Sequence, residues 1–114
     1  MIVTGVLAVA PVRDIERAVA WYAQLLDRPA DTRPMPGLAE WHITSTGVVQ
    51  VFQDPERAGS TLLNLTVDDL DRALTDLAVR GLPAGPVQPG QSVRFAALHD
   101  PDGNRVTLIE NRAT

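Results

Sequence analysis

A repeated segment is the sequence feature that most constrains the fold of this chain. Residues Val12–Val19 read VRDIERAV, and residues Val67–Leu74, 55 positions later, read VDDLDRAL. Further identical residues occur at the same offset on both sides of this segment. Clustered matches of this kind indicate a duplicated unit. We therefore predict two similar modules, residues 1–56 and 57–114, that share one structural domain.

Each half of the chain predicts the element order β-α-β-β-β. A short apolar strand opens each half, at 6–12 and 61–67. Asp14 or Asp69 follows it as a predicted N-cap, and the next apolar residues recur at helical spacing. Two further strands end each half, at 38–44 and 48–53 and again at 93–99 and 104–110, and the proline-rich pieces 33–37 and 82–90 predict edge strands or loops. The pattern predicts an α+β fold in which neither half buries both sheet faces alone.

Composition excludes several kinds of chemistry. The 114 residues include no cysteine, and all ten basic residues are arginine. Disulfides, thiolate catalysis and lysine Schiff bases are therefore absent. A net charge of −4 argues against nucleic acid as the main partner and mildly favours cationic ligands. No apolar run of membrane-spanning length and no signal peptide is visible, so we expect a cytoplasmic protein with no membrane partner.

Three segments of the chain carry a resemblance to a known superfamily. They are VRDIERAVAWY at residues 12–22, VDDLDRA at 67–73 and the closing turn HDPDGN at 99–104. With these segments in this order, the sequence resembles the vicinal oxygen chelate superfamily of glyoxalases, extradiol dioxygenases and bleomycin-resistance proteins. The resemblance implies two β-α-β-β-β modules whose curled mixed sheets surround a cup, commonly within a homodimer. It does not fix the function, because the superfamily hosts several chemistries and also plain binding.

The resemblance also implies four positions for the ligands of a divalent metal ion. In this sequence they fall on Leu7, Gln50, Leu62 and Thr107. Leucine has no donor atom, and one amide with one hydroxyl offsets little of the cost of dehydrating a divalent cation. We therefore predict no metal and no other cofactor, with an apolar floor to the cup at the two leucines.

Four more residues are candidates for ligand binding. His42 reaches the cup if it pairs with Gln50, whereas a two-residue turn brings Trp41 there instead, because a one-residue shift exchanges the faces of a strand. Trp41 and Phe52 can form an aromatic wall, although packing in the core or at a dimer interface is the alternative. Arg94 can bind a carboxylate if it points inward, and is a surface arginine if it points outward.

These observations favour a metal-free, homodimeric protein that binds a small organic molecule between its modules. By resemblance to bleomycin-resistance proteins, the bound molecule can be an antibiotic held by sequestration. The alternative is a lyase, isomerase or dioxygenase-type enzyme that uses His42, or an unrecognised metal set of Glu40, His42 and Gln50. A sensing or interaction module that works with a separate partner also remains open.

Overall fold

The computed structural model describes residues 1–112, which form eight strands and two helices in two sets. The first set runs β1 (Val6–Val12), α1 (Ile15–Leu26), β2 (Thr32–Met35), β3 (Leu38–His42) and β4 (Gly47–Gln53). The second set runs β5 (Leu62–Thr66), α2 (Leu70–Val79), β6 (Gln88–Pro89), β7 (Val93–His99) and β8 (Arg105–Asn111). Both sets have the predicted order, and the first proline-rich piece overlaps β2 while the second contains β6.

Each set forms its own four-stranded mixed sheet, and the two sheets have the same topology. The strand orders are β1-β4-β3-β2 and β5-β8-β7-β6. The first strand of each set runs parallel to the last, and the remaining pairings are antiparallel. The predicted α+β class with two mixed sheets is confirmed.

The two helices begin in the same way. Asp14 accepts hydrogen bonds from the backbone N–H groups of Glu16 and Arg17, and Asp69 accepts one from Arg72. These bonds satisfy N–H groups that have no partner within the helix. The first helix ends at Leu26, and Asp27 directly after it adopts a left-handed conformation (φ 57°).

A second side chain from the end of each sheet also reaches the start of its helix. Gln53 Oε1 accepts a hydrogen bond from the backbone N–H of Ile15 at 3.0 Å. Glu110 Oε1 accepts one from Leu70 at 2.9 Å. This recurring contact ties the last strand to the helix in both sets.

The apolar core lies between the sheets and the helices. Alternate residues of the central strands are buried together with one stripe of each helix, as period-two and period-3.6 patterns require. The largest fully buried side chains are Trp41 and Tyr22, whose ring centroids are 6.1 Å apart. No helix among residues 1–112 is long and apolar enough to cross a membrane.

A buried polar network joins the two halves at the turn after β7. Asp100 is only 4% exposed, and its carboxylate accepts hydrogen bonds from the Tyr22 hydroxyl (2.8 Å) and the Asn104 amide (2.7 Å). Asn104 Nδ2 also donates to the carbonyl of Pro11 at 2.8 Å, while its oxygen accepts from Thr61 N–H. Burial, followed by the nearby Asp100 carboxylate, raises the pKa of Tyr22 far above its usual value. The HDPDGN segment therefore acts as a clamp between modules.

Candidate functional site

The face of each sheet that is turned away from the helices, here called the open face, carries exposed apolar side chains. Parity along the strands identifies this face, since residues that pair across a sheet share a side. Five of the ten exposed large hydrophobic residues of the described chain lie on it: Leu7, Val9, Met35, Phe52 and Leu62. Exposed apolar patches of this kind mark ligand or partner surfaces.

The four positions implied for metal ligands all lie on the open faces. Leu7 and Gln50 belong to β1 and β4, and Leu62 and Thr107 belong to β5 and β8. Leu62 is 72% exposed, whereas Gln50 and Thr107 are partly buried. Two aliphatic side chains offer no donor, so this quartet does not fit a divalent ion. Among residues 1–112, no three His, Cys, Asp or Glu side chains come together to hold a metal.

A hydrogen-bonded polar cluster interrupts the apolar open face of the first sheet. The Glu40 carboxylate accepts hydrogen bonds from Gln50 Nε2 (2.6 Å) and from the Thr32 hydroxyl (3.1 Å). His42 Nε2 lies 3.9 Å from Glu40 Oε1. Glu40 has a side-chain exposure of only 15%, and no arginine among the described residues forms an ion pair with it. The cluster presents a recessed carboxylate beside an exposed imidazole.

The register of β3 and β4 answers which of two neighbouring residues faces outward. His42 pairs with Val48, and Gln50 pairs with Glu40 rather than with His42. The difference is two residues, so His42 and Gln50 still share the open face. Trp41 points to the other side, where it is fully buried and donates its indole N–H to the carbonyl of Arg28 at 2.9 Å. Trp41 therefore packs in the core and forms no wall with Phe52.

Arg94 also lies on the helix-facing side, in contact with α2. Its guanidinium donates to the Asp71 carboxylate at 2.9 Å and lies 3.4 Å from Glu110 Oε2. The hydrogen bond from Arg94, reinforced by its charge, lowers the pKa of Asp71. Glu110 points away from the open face, as its spacing from Thr107 predicts. Arg94 therefore braces the start of a helix and does not face a ligand at the open surface.

The open face of the second sheet carries polar residues that the sequence analysis passed over. Two adjoining cavities of about 300 and 260 Å³ lie on it, and both are lined by Phe95 and Arg105. The first also includes His99, and the second includes Thr107 and Asn64. The signal for Arg105 was its position two residues before Thr107, which places both on one face of β8. Because side chains alternate along β7, Phe95, Ala97 and His99 likewise lie on its open face.

Comparison with known proteins gives one family and a set of similar folds. The model of the glyoxalase-like domain matches residues 6–109. A solved glyoxalase/bleomycin resistance protein from Catenulispora acidiphila is 29% identical, with a TM-score of 0.88 over 95% of this chain and 98% of that chain. No curated protein matched the chain.

Two further solved structures have the same fold at lower identity. TnmS3, an antibiotic binding protein from a Streptomyces species, is 24% identical, with a TM-score of 0.82 over 96% of this chain and 97% of that chain. A lactoylglutathione lyase from Agrobacterium tumefaciens is 16% identical, with a TM-score of 0.77 over 91% of this chain and 90% of that chain. Binding proteins and enzymes thus share this architecture.

Proposed function

The chain belongs to the glyoxalase-like domain family, and from this membership we propose that it binds a small organic molecule between its open faces without a metal ion. The observation that carries the proposal is the chemistry of the four metal-ligand positions, where Leu7 and Leu62 supply no donor. The exposed apolar residues around them suit the body of an organic ligand. The likeness to TnmS3 supports an antibiotic as the bound molecule. Sequestration then requires binding alone and no chemical step.

The proposal includes a homodimer in the cytoplasm. Within one chain the apolar open faces stay exposed, with Leu62 at 72% and Leu7 at 51%. A second copy that covers part of these faces would bury them and deepen the shallow cavities into a cup. Because the chain has no cysteine, the fold needs no disulfide and is compatible with a reducing compartment.

Dimerisation and binding are tested with a matched pair of variants. Leu62→Glu places a charge on the open face, whereas Val79→Glu places one on the outer surface of α2, where Val79 is 83% exposed. We expect a dimeric mass by sedimentation at micromolar concentration for the native chain and Val79→Glu, and a loss of dimer for Leu62→Glu. A monomeric native protein would contradict the dimer.

Ligand binding is tested by thermal melting in the presence of two kinds of compound. Ligands that bind the native state raise the melting temperature by mass action. We expect a rise with bleomycin-type or other planar cationic compounds, and none with Ni²⁺, Zn²⁺, Fe²⁺ or Mn²⁺. A rise with one of the ions would overturn the metal-free proposal.

A second candidate function is favoured by the Glu40 cluster. Glu40, His42 and Gln50 share one open face, with Glu40 within 2.6 Å of Gln50 and 3.9 Å of His42. These groups could serve a lyase or isomerase, either with His42 as an acid–base group or with a metal ion held by all three side chains. Metal analysis of the purified, untagged protein separates these versions, and His42→Ala should abolish turnover without unfolding the chain if either enzyme exists.

A further inference from the structure

The open face of the second sheet combines an arginine with apolar and neutral polar side chains. Arg105 lies at the start of β8, directly across from His99 at the end of β7. Opposite residues on neighbouring antiparallel strands have Cβ atoms about 5 Å apart. Arg105 also borders both cavities of this face, together with Phe95. The guanidinium of Arg105 and the imidazole of His99 therefore lie side by side on a surface that also includes the ring of Phe95.

Arg105, unlike five of the other nine arginines, has no carboxylate partner among the residues that the structure describes. Five of the ten arginines form ion pairs with aspartate or glutamate, and Arg80 donates to the backbone carbonyls of Gln24 and Leu25. Among residues 1–112, no carboxylate lies within ion-pair distance of Arg105. A guanidinium that the fold leaves unpaired keeps its donors for a bound group.

The remaining lining residues fit the other end of an anionic organic molecule. Ile109 and Leu62 supply apolar surface in the same cavity as Phe95. The Thr107 hydroxyl and the Asn64 amide can hydrogen-bond to neutral polar atoms of a ligand. Ile109 lies on β8 four residues after Arg105, about 13 Å along the strand, so a charged end and an apolar body can be held on one strand.

We propose that Arg105 is the anchor for an anionic group, a carboxylate or a phosphate, on an aromatic or apolar ligand of the second open face. The planar guanidinium donates two parallel hydrogen bonds to either anion. Phe95 and Ile109 contact the body of the ligand, and His99 adds a donor beside the anion. The proposal rests on the proposed small-molecule function and specifies the ligand class that one wall of the cup accepts.

The test is a titration followed by amide chemical shifts, with four probes that share one ring. The probes are benzoate, phenyl phosphate, benzyl alcohol and benzylamine, so charge varies while the apolar body is nearly constant. We expect benzoate or phenyl phosphate to shift amides of β7 and β8 at lower concentration than benzyl alcohol, with benzylamine the weakest. The ratio of benzoate to phenyl phosphate affinity identifies which anion the site prefers.

Two substitutions and one control make the test specific to Arg105. Arg105→Gln should weaken benzoate binding about tenfold, the size expected for the loss of a charge-assisted pair, and leave benzyl alcohol unchanged. Arg105→Lys should give an intermediate affinity, since it keeps the charge without the planar fork. Arg17→Gln removes another exposed arginine, from the outer side of α1, and should change neither affinity.

Each contrary outcome has a distinct meaning. Equal affinity for benzoate and benzyl alcohol, or an undiminished affinity in Arg105→Gln, overturns the anion site but leaves small-molecule binding in place. Shifts confined to other strands also overturn it. The absence of binding by all four probes overturns the anion site and counts against the proposed function at this face. A dispersed spectrum for Arg105→Gln establishes that the variant is folded.

Discussion

The two modules of this protein are alike on the side that faces the helices and different on the side that is open. On the helix side, Gln53 and Glu110 occupy the same place at the end of their sheets and bond to the start of their helices. On the open side, His42 and His99 occupy equivalent positions at the ends of β3 and β7. His42 is paired with Val48, whereas His99 is paired with Arg105. One side maintains the fold, whereas the other is where the two modules can differ in ligand chemistry.

The charges of the open faces show this difference most clearly. The first module has the recessed carboxylate of Glu40 in the middle of its face. The second has Ala97 paired with Thr107, as Glu40 is paired with Gln50, and it places Arg105 at the start of β8. A ligand that spans both faces would therefore meet a negative group on one wall and a positive group on the other.

The clamp between modules gives the largest expected effect, because its hydrogen bonds are mostly buried; residues 1–56 contain no equivalent network. Asp100→Ala removes the acceptor of the Tyr22 hydroxyl, the Asn104 amide and two backbone N–H groups. Leaving buried donors without a partner costs about 3–4 kcal/mol of unfolding free energy. The measurement is urea unfolding at neutral pH.

The matched control lies in the turn of the first module. There the Thr44 hydroxyl accepts one exposed hydrogen bond from the backbone N–H of Gly47, so Thr44→Ala should cost under about 1 kcal/mol. Equal losses in the two variants would show that the turns contribute alike and that the clamp is not a special feature of the second module.

The second prediction concerns Tyr22. The repeat places Leu77 at the equivalent buried position of the second helix, and leucine has no hydroxyl that could donate a hydrogen bond. Tyr22→Phe keeps the ring but removes the donor to Asp100, at a cost of about 1 kcal/mol at neutral pH. The pKa of Tyr22 is raised in the folded chain. The unfolded chain therefore loses its tyrosine proton first, and stability falls as pH rises above about 10.

The amino-acid composition lets the ionisation of Tyr22 be followed without interference from other side chains. Tyr22 is the only tyrosine, and the chain has neither lysine nor cysteine. Ultraviolet absorbance should show no tyrosinate until the protein unfolds, and Tyr22→Phe should lack that part of the decline in stability. Tyrosinate absorbance in a chain that is still folded would contradict burial of the hydroxyl.

The helix contacts give a third effect, no larger than the second, which tests how alike the helix sides are. Gln53→Ala and Glu110→Ala each remove one acceptor from a helix N-terminus, at a cost of about 1 kcal/mol. Glu110→Gln should retain most of the stability that Glu110→Ala loses. A glutamine amide oxygen can accept the bond from Leu70, as the amide oxygen of Gln53 accepts the bond from Ile15 in the first module. A much larger loss for Glu110→Gln than for Gln53→Ala would show that charge, rather than the hydrogen bond, matters at the second helix.

Sequence alone predicted the features that the helix sides share. Period-two and period-3.6 patterns, together with the aspartate caps, are local signals, and they gave the strands, the helices and their order. Which side chains lie opposite each other across strands depends on register. The turn at residues 45–47 is compatible with two registers, so the sequence did not decide whether Trp41 or His42 lies on the open face. Partner choice is also non-local: nothing near Arg94 in the sequence indicates its contact with Asp71, 23 residues away.

The ion pairs at the first turns of the helices provide the smallest expected effect. Glu16 pairs with Arg33 in the first module, and Asp71 pairs with Arg94 in the second. Arg94 has a side-chain exposure of 19%, compared with 42% for Arg33, so its contact is less screened by solvent. Arg94→Gln should bring the lowered pKa of Asp71 back toward its usual value, as followed by the carboxyl carbon shift during acid titration. Arg33→Gln is the control and should leave the pKa of Asp71 unchanged.

The lowered pKa of Asp71 also predicts how stability depends on pH. A depressed pKa adds stability above the pKa of the unfolded chain, and this contribution is lost as pH falls through the pKa of the folded chain. The native chain should therefore lose more stability than Arg94→Gln on acidification, and equal acid sensitivity of the two would mean that Arg94 only fills space beside α2.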